Sequence, residues 1–97
     1  MSVPVGPLPK PTPAQARVLR AAAANAGAIR QSRFSGAWLR FENGSLVAKL
    51  PKSTMARLLD AGMVRAVPQP RSQFARCTLV PTNLGRAWLA ANPEPGA

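Results

Sequence analysis

Proline placement constrains this chain more than any other feature. The opening run Met1-Ser-Val-Pro-Val-Gly-Pro-Leu-Pro-Lys-Pro-Thr-Pro13 carries proline at nearly every second position. Proline fixes φ and has no N–H to donate, so neither helix nor sheet hydrogen bonding propagates through such a run. A flexible proline-rich arm is expected over residues 1–11 and one folded domain over 12–91. Thr12-Pro13 reads as a helix start, since threonine caps well and proline is tolerated at the first helical position. At the far end Asn92-Pro93 stops the last helix and leaves 92–97 as a disordered tail.

Between these limits the apolar spacing sets the elements. Val18, Leu19, Ala22, Ala23 and Ala26 recur at helical intervals, giving a first helix from Pro13 to about Asn25 that Gly27 ends. Residues 28–50 are less regular. Phe34, Trp38 and Phe41 fit a short helix over about 33–41, but Gly36 and the turn Asn43-Gly44 favour a hairpin with strands at about 37–41 and 46–49. A second helix is expected over Lys52–Ala61, with Met55, Leu58 and Leu59 inward and Gly62 as its left-handed stop. A second hairpin follows, with strands Met63–Val67 and Phe74–Val80. Its connection Pro68-Gln-Pro-Arg-Ser-Gln73 is too polar to pack inside and should project. Thr82 caps a third helix over Asn83 to about Ala91. The expected fold class is a compact α+β domain of three helices and one or two β-hairpins.

Charge decides which partners to consider. Among 97 residues stand 13 Lys and Arg against 3 Asp and Glu, a net +10. A GC-rich genome accounts for abundant arginine, yet acidic residues also have GC-rich codons. Acid depletion is therefore the informative part, and a polyanionic partner is its simplest physical cause.

The absent residue types exclude chemistry. Histidine and tyrosine are missing, and Cys77 is the only cysteine. A structural zinc site needs about four Cys or His ligands, which one chain of this composition does not supply. With Glu42, Asp60 and Glu94 scattered along the chain, general acid-base work lacks suitable groups, so no enzyme, metal or cofactor is expected. Cys77 reads as a small buried hydrophobe. Neither a signal peptide nor a run of some twenty apolar residues is present, so no membrane association and a cytoplasmic, nucleoid-associated location are expected.

Three stretches carry a resemblance. Pro11-Thr-Pro13 opens the first helix, Leu58-Leu-Asp-Ala-Gly-Met-Val64 closes the second, and Val80-Pro-Thr-Asn-Leu-Gly-Arg-Ala87 opens the third. In that order they resemble the winged helix-turn-helix regulators typified by the multiple-antibiotic-resistance repressor family, over roughly Pro11 to Ala91. The resemblance implies a small transcriptional regulator that binds duplex DNA, with a homodimer compatible with it. It makes Lys52–Ala61 the recognition helix, with Lys52, Ser53, Thr54 and Arg57 as DNA contacts. It makes Arg71, Ser72, Gln73 and Arg76 the wing.

Physical chemistry refines these roles. The guanidinium of Arg57 can give two hydrogen bonds to one guanine edge, and Ser53 and Thr54 suit phosphate near a helix N-terminus, although Ser53 is as well explained as a helix cap. Arg71 and Arg76 suit phosphate or minor-groove contact. Arg30, Arg33 and Arg40 are candidate additional basic contacts. Trp38 and Trp88 stand among apolar residues and read as core. The family has a helix immediately before the recognition helix, and a hairpin over 37–49 would replace it. Size and composition suggest a bacterial, phage or mobile-element source. The same charge would also serve an RNA-binding or ribosome-associated protein, or a non-catalytic adaptor or inhibitor that grips an acidic protein.

Overall fold

The computed structural model describes residues 10–93. Most of the proline-rich arm, and the tail from Glu94, lie outside the described residues. The chain runs α1 (Pro13–Ala24), β1 (Ile29–Ser32), β2 (Trp38–Glu42), β3 (Ser45–Lys49), α2 (Lys52–Asp60), β4 (Val64–Pro68), β5 (Ala75–Pro81) and α3 (Asn83–Ala91).

Local chemistry places the ends. Thr12 accepts a hydrogen bond from the Gln15 amide while the Gln15 side chain accepts one from the Thr12 amide, a reciprocal cap that fixes the start of α1. Asn43 and Gly44 take φ of +52° and +79°, which joins β2 to β3 by the tight turn their sequence favours. Gly62 reaches +71° where α2 stops.

Residues 38–49 are thus two strands, not a helix, and no helix stands immediately ahead of α2 among the described residues. The five strands make one antiparallel sheet in the order β3-β2-β1-β5-β4. Its central strand, β1, was not expected from the sequence. Of its residues Ile29-Arg-Gln-Ser32 only one is apolar, so no alternation marks it. Neighbours on both sides make it a strand. Arg30 pairs with Leu39 of β2 and with Thr78 of β5. The polar Gln31 is accommodated because its amide donates to the Gly36 carbonyl at 3.0 Å and accepts from the Cys77 thiol at 3.2 Å.

All three helices use one face of the sheet. α1 packs on β1 and β5 and against α2 and α3. Leu19, Ile29, Met55, Leu58, Met63 and Leu79 are fully buried between these layers, each worth about 1.5–3 kcal/mol of burial. Trp38 joins this core, and Trp88 packs at its margin beneath the Arg20 guanidinium. Ala23 and Ala26, expected in the apolar stripe of α1, are exposed, and so in part is Leu59. The stretches 58–64 and 80–87 meet each other: the Thr82 amide and hydroxyl donate to the Met63 and Gly62 carbonyls, and the Thr82 hydroxyl accepts from the Gly85 amide.

The other face of the sheet carries no helix. In β5 it shows Arg76, Thr78 and Val80, alternating with buried Ala75, Cys77 and Leu79. The pairing register adds Arg30, Leu39, Phe41, Leu46, Lys49, Arg65 and Val67 to that face.

Candidate nucleic-acid interface

The cations divide by what they bond within the protein. Arg20 donates to the Asn92 carbonyl at 3.1 Å. Arg30 donates through Nε to the Gly27 carbonyl at 2.7 Å, with its guanidinium 4.7 Å from the Phe41 ring centroid. Arg33 ties the β1–β2 turn to the β4–β5 loop through the Gln69 and Ala75 carbonyls, at 2.9 and 3.2 Å. Arg40 pairs with Glu42 at 2.9 Å. Arg30, Arg33 and Arg40, read from the sequence as additional basic contacts, therefore each commit donors to architecture.

A second group makes no such bonds among the described residues: Lys10, Arg17, Lys49, Lys52, Arg57, Arg65, Arg71, Arg76 and Arg86. Of these, Lys52 and Arg57 stand on the exposed side of α2 with Ser53 and Ala56 between them. α2 forms because Met55 and Leu58, three residues apart, fill the core beside α1. Thr54 is turned inward as well, at 9% exposure, and lines a cleft with Arg17, Val18, Arg40, Ala48 and Pro51. Its hydroxyl is thus not presented with those of its neighbours, contrary to its expected role at phosphate. The first turn of α2 holds no acidic residue, and its N-cap, Pro51, makes no side-chain bond. Free amide donors and the helix dipole therefore add to the Lys52 charge.

Packing of α1 on α2 brings in Arg17, which the sequence did not mark as a contact, and Lys10, whose place on the arm already put it within reach of a phosphate. Arg17 borders the cleft at Thr54, and Lys10 lies across from Arg57 in a second cleft that includes Thr12, Gln15 and Ala61. Arg17 falls outside the apolar stripe of α1, which was its only sequence signal; its proximity to α2 is a tertiary fact.

The β4–β5 loop is exposed at Arg71 and Gln73 but held to the domain, with Gln69 bonded to Arg33 and Thr78. The Gln69 amide donates to the Arg76 carbonyl, the Ser72 amide donates to the Gln69 carbonyl, and the Ser72 hydroxyl accepts from the Ala75 amide at 2.8 Å. Ser72 therefore shapes the loop, while Arg71 and Gln73 are exposed on it. Arg76 lies on the helix-free face, so it does not share a surface with Lys52, Ser53 and Arg57.

Burial pushes the Cys77 thiol above its ordinary pKa, and nearby Arg76 offsets this in part. Among the described residues no three His, Cys, Asp or Glu side chains gather as metal ligands. No helix among them is long and apolar enough to cross a membrane. Comparison with protein-family models, curated proteins and solved structures finds no match to this chain.

Proposed function

We propose that the protein is a small duplex-DNA-binding regulator that reads sequence through α2, in a winged-helix-like domain whose pre-recognition helix is replaced by the hairpin β2–β3. The observation that carries this reading is the exposed side of α2. Lys52 and Arg57 are unpaired among the described residues, Ser53 and Ala56 between them are short, and Arg17 of α1 stands alongside. Short side chains let a helix backbone approach the major groove, and a free guanidinium can read a guanine edge. Arg71, exposed on the β4–β5 loop, takes the role of a phosphate clamp.

Selection of bound sequences from a random duplex pool, with an RNA pool in parallel, tests the reading. A consensus should emerge from the duplex pool only. Arg57→Ala should flatten discrimination between sites, whereas Arg71→Ala should weaken all sites alike. Displacing counterions from about five or six phosphates gives a log-log salt slope of about −5. Absence of duplex binding at low salt overturns the proposal.

A further inference from the structure

We propose that the helix-free face of the sheet is a second, separate binding surface, and that its ligand is single-stranded nucleic acid. Four charged side chains project from this face, Lys49, Arg30, Arg65 and Arg76, and all are cationic. The only carboxylate at its border among the described residues, Glu42, is engaged by Arg40. Lys49, Arg65 and Arg76 make no hydrogen bond to the described residues and stand exposed on three different strands.

Between these cations lies an aromatic platform. The Phe74 ring meets the Phe41 ring edge-on at 5.8 Å between centroids, and Arg30 covers a face of Phe41. Phe74 remains 38% exposed. The Arg33 amide donates to the Phe74 carbonyl at 2.8 Å, which fixes the β1–β2 turn beside it. That turn carries Phe34, the most exposed large hydrophobic residue among those described, at 80%. The part-exposed Phe74 ring among unpaired cations, with Phe34 exposed on the adjoining turn, suits unstacked bases joined by phosphates, because bases stack on a ring whatever their identity and the backbone takes the charge. A duplex offers no open base faces to these rings. A second copy of the chain is disfavoured, since a two-fold contact through this face would set its cations against themselves.

This surface does not depend on the α2 reading, and the experiment separates them. Fluorescence anisotropy with labelled dT15 and rU15, and with a hairpin duplex, is measured for the full chain and three double variants. Phe34→Ala with Phe74→Ala, and Arg65→Glu with Arg76→Glu, should each weaken single-strand binding by about tenfold or more. Both should leave duplex binding within about twofold. Lys52→Glu with Arg57→Glu should do the reverse. Because Arg65 and Arg76 are exposed and unbonded, their variant keeps the proposal testable should the phenylalanine variant fold poorly. No binding of either strand at low salt overturns the proposal. So does loss of single strands only in the α2 variant, or a concentration-dependent dimer abolished by the phenylalanine variant.

Discussion

Gly85 stands where α3 crosses the chain at Met63, and a Cβ there would overlap the Met63 carbonyl oxygen and press on Leu19 Cδ1 at 3.1 Å. The neighbour is backbone, already bonded to the Thr82 amide, so it has little freedom to withdraw. Alanine favours a helix over glycine by about 1 kcal/mol, yet overpacking costs about 1–3 kcal/mol and occasionally more. Gly85→Ala should therefore lower the midpoint of chemical unfolding despite the better helix former. Cys77 is the other residue whose surroundings fix its chemistry. Its raised pKa means that the folded state favours the neutral thiol more than the unfolded chain does. Stability from this group is complete below the ordinary thiol pKa of about 8.5 and declines as pH rises through the folded value. Iodoacetamide should alkylate the native protein at pH 8 far more slowly than the denatured chain, and equal rates would contradict the burial.

At the level of elements, the turn and caps do what their residues require. Gly44 has φ of +79°, and a Cβ at that position would find open space for 4 Å around it, so Gly44→Ala meets only conformational strain. A loss of about 1 kcal/mol is expected, seen as an earlier urea midpoint. Thr12→Ala removes one half of the reciprocal cap of α1 and should cost about 1 kcal/mol, with helicity lost first at the start of α1 in amide exchange. Both features were legible in the sequence because they are local: Asn43-Gly44 and Thr12-Pro13 act within a few residues. The strand β1 was not legible, because nothing local favours Arg30-Gln31-Ser32 as a strand. Its hydrogen bonds come from residues a short way ahead on β2 and far along the chain on β5.

For the whole molecule, a net charge of +10 meets a single ion pair among the described residues, Arg40–Glu42. Self-repulsion should dominate its electrostatics at low ionic strength. Added salt screens such repulsion over a Debye length of about 10 Å at 0.1 M, so the thermal midpoint should rise by a few degrees between low and physiological salt. A fall would mean that attractive pairs outweigh repulsion. The same salt should weaken nucleic-acid binding, and opposite signs for stability and affinity would mark charge excess as a feature kept for a ligand.

The three helices, the turn at Asn43-Gly44, the polar connection after Pro68 and the excess of positive charge could all be read without coordinates. Each is written in spacing, caps or composition. The face that each cation of the sheet occupies emerged only on folding. Folding turned Thr54 inward, bound Arg30, Arg33 and Arg40 to the protein's own carbonyls and carboxylate, and set Arg17 beside α2. It also placed Arg65 and Arg76 across the sheet from Arg57. The reason is that a side chain's face in a sheet depends on strand register, and register depends on partners distant in the chain.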